Sequence, residues 1–231
     1  MPFYYGVDIY YFLLVVPAFL LALGAQIMVK STYSKMSRIR NSRNLTGAQA
    51  AARVLYEHGI TNVRIERVAG TLSDHYDPRS NVIRLSEGVY DSASVAAVGV
   101  ACHEAGHAVQ HAQNYAPIKI RNAIIPVCNI GSTIGLPLAF IGLILDFGFL
   151  FWLGILLYGL VALFQFVTLP VEFNASRRAL QAIESTGMLS GDEYKNARKV
   201  LTAAAMTYVA ALAVSIANLL RLILRANNRR N

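Results

Sequence analysis

What most limits the folds open to this chain is its set of long uncharged apolar stretches, more than a small soluble core could absorb. Ile9 to Val29 carries no charged residue. As a helix it would be about 31 Å long, the thickness of a bilayer's hydrocarbon core. It lacks a small-residue cleavage site, so it reads as an anchor that is kept. Ile124 to Leu145 and Phe147 to Val171 form two further spans joined at Asp146. Lipid offers no partner for a backbone N–H or C=O, so such stretches must be helical. Leu201 to Leu224 is apolar too, but Ala-rich and interrupted by Asn218 and Arg221. It either spans or lies as a core or interfacial helix. With 55% hydrophobic residues and a mean hydropathy of +0.43, the composition is too apolar for an ordinary soluble enzyme. The expected fold is mainly α and membrane-embedded, with three or four transmembrane helices.

The polar part lies between the first span and the hairpin. Thr46 to His58 reads as a short helix, with Thr46 as its cap and Gly59 as its stop. Val63, Ile65 and Val68 alternate with polar residues as a strand. Asp77-Pro78-Arg79-Ser80 is a turn, followed by a second strand, Val82-Ile83-Arg84-Leu85.

The chemistry is concentrated in His103-Glu104-Ala105-Gly106-His107. Asp91, Ser92 and Ser94 offer cap oxygens ahead of an apolar run, and Asn114 and Pro117 end it, so the motif sits in the second half of a helix. Histidines four apart on a helix point the same way and can grip one zinc ion, with the intervening glutamate facing the metal's water. Set against this is a core helix whose histidines are hydrogen-bonded and inert. A catalytic zinc site takes a third protein ligand. His111 lies about 12 Å along the axis from His103, too far to serve. Gln113 stands where a metzincin would carry its third histidine. Downstream, Asp146 sits in a tight turn, while Glu184, Asp192 and Glu193 lie in a polar segment. Glu172, which opens a helical run directly after an apolar span, is the best candidate.

This arrangement, with an apolar hairpin between His103-Glu104-Ala105-Gly106-His107 and Glu172-Phe173-Asn174-Ala175-Ser176, resembles the gluzincin layout of HtpX-type and CAAX prenyl membrane proteases. It is more closely similar to the YugP-like family of neutral zinc metallopeptidases, and the similarity covers nearly the whole chain. The resemblance implies a zincin-like part with a small β-sheet, peptide-bond hydrolysis, and a multi-pass place in a bacterial cell membrane. It also implies that Val82, Ile83, Arg84 and Leu85 form a sheet edge beside the zinc helix that pairs with an extended substrate. An interior strand with no ligand role is the competing reading. Ser176 stands where HtpX-type proteases have an acid that orients a zinc-binding histidine, so Ser176 and Asn174 are the candidates for that task.

The chain then divides into a transmembrane anchor (1–29), a basic connector (30–45), a zincin-like part (46–123), a transmembrane hairpin (124–171), a third-ligand helix with a polar segment (172–200), and an apolar helix with a basic tail (201–231). One zinc per chain is expected at His103, His107 and Glu172, with Glu104 as general base. His75, Tyr76, Arg177, Tyr194 and Tyr208 are unranked candidates for oxyanion stabilisation. Lys30, Lys35, Arg38, Arg40 and Arg43 follow the first span and place that end in the cytoplasm, and a two-span hairpin returns Glu172 to the same side. The expected partners are the lipid bilayer and a polypeptide substrate at or near it. The +8 charge gathers beside spans with no nucleic-acid-binding motif, so nucleic acid is not expected. Cys102 and Cys128 suit neither a zinc site nor a disulfide. A membrane scaffold that binds zinc without cleaving is the alternative function. A transport pathway would need intramembrane acids and bases, which the spans scarcely offer.

Overall fold

The computed structural model describes residues 8–230, with side chains as far as Asn227. The first seven residues of the expected anchor, and the side chains of Arg229 and Arg230 in the basic tail, lie outside it. The chain is mainly α. Its helices are α1 (Val16–Met36, entered through a π-helical turn Tyr11–Val15), α2 (Gly47–Glu57), α3 (Glu87–Tyr90), α4 (Val95–Ala112), α5 (Ala116–Ile144), α6 (Gly148–Ser185) and α7 (Gly191–Arg230). Three short strands, β1 (Arg64–Val68), β2 (His75–Asp77) and β3 (Val82–Ser86), make one sheet. Among the described residues four helices, Tyr11–Met36, α5, α6 and α7 through Asn227, are long and apolar enough to cross a membrane.

Two compact units result. The first comprises residues 8–26, 120–169 and 206–230. Ala139, Leu143, Phe151, Ile155 and Leu222 form a buried cluster in it, while Phe12, Leu13, Phe19, Leu20 and Phe166 stay exposed. Arg221 and Arg225 are buried there against Asp8, at 3.2 and 3.4 Å.

The second unit comprises residues 27–119 and 170–205. Thr46 and Gln49 form a reciprocal capping box that starts α2, and Gly59 at φ 65° closes the turn after it. α2, α3, α4 and the sheet share a core through Val54, Ile83, Leu85, Val89 and Val98. Ala179, Ile183, Ala197 and Leu201 from α6 and α7 complete it.

Three expectations need correction. β3 is not an edge: the order is β1-β3-β2, with β1 parallel to it and β2 antiparallel. Val82, Ile83 and Arg84 are paired on both sides, Leu85 pairs with Arg67, and the next N–H, of Ser86, donates to the Asp74 carboxylate at 2.7 Å. The edge strands are β1 and β2, and of these β2 is the one that lies against α4. Glu172 does not open a helix, because α6 runs through Pro170 without a break. Pro170 removes one N–H, a loss that packed membrane helices tolerate. Finally, α1 continues through Lys30 and Lys35 to Met36. No Gly or Pro interrupts that stretch, and Met36 is buried with Ala96 and Val200.

Candidate metal centre

α4 starts where Ser94 accepts the Ala97 N–H at 3.1 Å; of the three cap candidates it is the one that closes the helix. From this fixed start the helix presents His103 and His107 one turn apart on one face, ring centroids 4.7 Å from each other. α6 crosses α4 at its motif. A Cβ on Gly106 would lie 2.7 Å from the Ala175 carbonyl oxygen, so only glycine lets the two backbones meet this closely. Glu172 and Ser176, one turn apart and flanking that contact, are thereby aimed at the two imidazoles.

Glu172 Oε2 lies 3.3 Å from His103 Nε2 and 3.6 Å from His107 Nε2. The ligand atoms of all three side chains fall within 4.8 Å of one another. Glu172 is 2% exposed, and His107 and Glu104 are also buried. Burial acts to lower the His107 pKa, but the Glu172 and Glu104 carboxylates and the Gln110 hydrogen bond together outweigh it and raise the pKa.

The remaining ring nitrogens are already engaged. His103 Nδ1 is 3.1 Å from Ser176 Oγ, and His107 Nδ1 is 3.0 Å from Gln110 Oε1. Gln110 cannot turn over, because its Nε2 donates to the Val171 carbonyl at 2.8 Å and to Asn174 Oδ1 at 2.9 Å. Its carbonyl oxygen therefore faces the histidine, so His107 Nδ1 carries the proton and donates it. That tautomer leaves the Nε2 lone pair directed at Glu172. Asn174 Oδ1 also accepts from Arg178 Nε at 2.7 Å, and Arg178 Nη1 donates to Gln113 Oε1 at 2.6 Å. This chain of bonds ties α6 to α4 around one imidazole.

Two neutral imidazole nitrogens and one carboxylate oxygen, converging in a buried site with their second partners in place, fit the donor set of a divalent zinc. Burial pushes the thiol of neighbouring Cys102 up, so that residue stays protonated and offers no thiolate ligand. Among the described residues, none hydrogen-bonds the Glu104 carboxylate. Asn174 does not reach a ring; it acts on Gln110, which the sequence reading missed. Gln110 sits at i+3 from His107, on the same helical face, and that spacing was the available signal.

The other candidates fall elsewhere. His111 Nδ1 is 3.4 Å from the Tyr76 hydroxyl, one turn beyond His107. His75 and Arg177 are exposed, and Tyr194 lines a groove between α1 and α7.

Comparison with known proteins finds zinc-peptidase relatives. The family model described as "Putative neutral zinc metallopeptidase" matches residues 11–227. The chain is 46% identical over 219 residues to the "Putative membrane protease YugP" of Bacillus subtilis (strain 168), covering 94% of this chain and 97% of the relative. No solved structure gives a significant match.

Proposed function

The chain belongs to this neutral zinc metallopeptidase family, and from that premise we propose that it is a gluzincin-type endopeptidase whose catalytic centre is His103, Glu104, His107 and Glu172. The observation that carries the reading is the convergence of His103, His107 and Glu172 within 4.8 Å, in a buried site whose outer ring nitrogens are already satisfied. These three residues would hold one zinc per chain. When bound, zinc supplies Lewis acidity that lowers the pKa of a water and polarises the scissile carbonyl. Glu104 takes the water proton and passes it to the departing amine nitrogen. Gln110 and Ser176 keep the imidazoles in register, and the buried surroundings strengthen each charge interaction.

The substrate is a polypeptide held in extended form. With β3 interior, main-chain pairing falls to β2, whose outer side is the sheet edge beside α4. The protein sits in the cell membrane as a multi-pass chain. The cations from Lys30 to Arg43 favour a cytoplasmic site. If α7 crosses as a fourth span, Arg221 and Arg225 fall on the opposite side, but the Asp8 carboxylate they share offsets half of that charge. Membrane proteins and their juxtamembrane segments are then the nearest substrates.

Two outcomes test this reading. A chelator such as 1,10-phenanthroline should abolish cleavage of an unstructured reporter polypeptide, and stoichiometric zinc should restore it; cleavage that survives complete zinc removal rules the mechanism out. Gln110→Ala should weaken zinc binding by roughly 10–100-fold, measured by competition with a fluorescent chelator. Unchanged affinity in that variant would mean that the His107–Gln110 bond is incidental.

A further inference from the structure

Between the end of α1 and the start of α7, within the second unit, lies an open groove of about 840 Å³. Lys35, Lys195, Arg198 and Lys199 line it, and no carboxylate does. Asp192 pairs with Lys195 at 3.0 Å, but Lys35 and Arg198 make no ion pair among the described residues. Lys35 and Arg198 thus stand in the groove without a counter-charge, so it favours an anion. Met28, Met36 and Ala203 supply apolar wall, with the Ser31 and Thr32 hydroxyls beside them. The same division runs along both helices. α1 is uncharged up to Val29 and basic after it, whereas α7 is charged through Lys199 and uncharged from Val200 to Leu220.

We propose that this groove binds an anionic phospholipid, its phosphate held by Lys35, Arg198 and Lys199 and its glycerol and first methylenes against Met28 and Ala203. Free phosphate or an acidic peptide would satisfy the cations yet leave the apolar wall unused. A phospholipid matches both, and it matches the level at which two apolar helices gain charge. The groove's walls are tied to the helix that carries the His103 motif: Met36 and Val200 are buried against Ala96, and Ala197 lies 3.5 Å from where a Gly99 Cβ would stand. Lipid in the groove therefore braces α1 and α7 against α4, so binding registers as thermal stability.

The test uses the full chain in a neutral maltoside detergent at about 0.15 M salt, where charge interactions across open solvent are largely screened. Dioctanoyl phosphatidylglycerol should raise the unfolding temperature saturably. Dioctanoyl phosphatidylcholine, inorganic phosphate and hexaglutamate should not. A Lys35→Gln/Arg198→Gln double variant should need on the order of thirtyfold more phosphatidylglycerol for half-saturation. Ser31→Trp keeps every charge but fills the groove and should weaken binding too; it decides the matter if circular dichroism shows the double variant unfolded. Equal shifts with phosphatidylcholine, with phosphate or with hexaglutamate overturn the proposal, as does parental titration by Ser31→Trp.

Discussion

Glu104→Gln is expected to lower kcat on a reporter peptide by roughly 10²–10⁴-fold, about 3–5 kcal/mol of barrier, while leaving zinc content at one per chain. The side chain is 8% exposed and next to His107, yet it is not one of the three groups whose ligand atoms converge. Glutamine has the same shape, so the packing of α4 is preserved and only the proton acceptor is lost. Metal analysis and turnover on one preparation separate the two effects. A zinc-holding scaffold without peptidase activity has no use for a base at this position; in that case the parent and the variant would be equally inactive. If Glu104→Gln cleaves as fast as the parent, the proton goes elsewhere and the assignment fails.

Features carried by a few neighbouring residues were readable from the sequence, and features that depend on which segments meet were not. The Thr46–Gln49 box and the Gly59 stop are local, so α2 falls where the residues place it. The three uncharged spans are legible for the same reason, since length and the absence of charge suffice, whereas Arg221 left the role of Leu201 to Leu224 open. Strand order is a different matter. Alternation in Val82–Leu85 marks a strand but names no neighbours, and the pairing of β1 with β3 across the intervening β2 makes that strand interior. Pro170 misleads because a lost N–H is read as a boundary, whereas a packed helix absorbs it. At the candidate centre, Ser176 lies against His103 as its position relative to Glu172 suggests. The i+3 spacing from His107 did not by itself single out Gln110, because what fixes it, the Val171 carbonyl and the Asn174 side chain, arrives from another helix more than sixty residues away. Any polar residue at that helical position would look the same in sequence.

Glu172→Ala should strip zinc from the purified protein and with it all turnover, in contrast to the base variant, which loses turnover alone. Three groups of this kind are what a catalytic zinc needs from a protein. With Glu172 gone, His103 and His107 supply only two, and no other carboxylate or thiolate among the described residues joins their cluster. The loss in affinity should exceed the roughly 10–100-fold expected when an outer partner such as Gln110 is removed. Removing Glu172 also takes away the buried negative charge that raises the His107 pKa, so that ring's proton affinity falls and the metal-free variant should remain folded. Far-UV circular dichroism close to the parental spectrum, together with zinc below about 0.1 per chain, is the expected pair of results. Glu172→Gln adds a second constraint, because an amide oxygen keeps the shape and much of the packing but is a neutral, poorer ligand, so its affinity should fall between parent and alanine. Retention of stoichiometric zinc by the alanine variant would show that the third protein ligand lies outside α6, and the geometry on which the hydrolytic mechanism rests would then have to be abandoned.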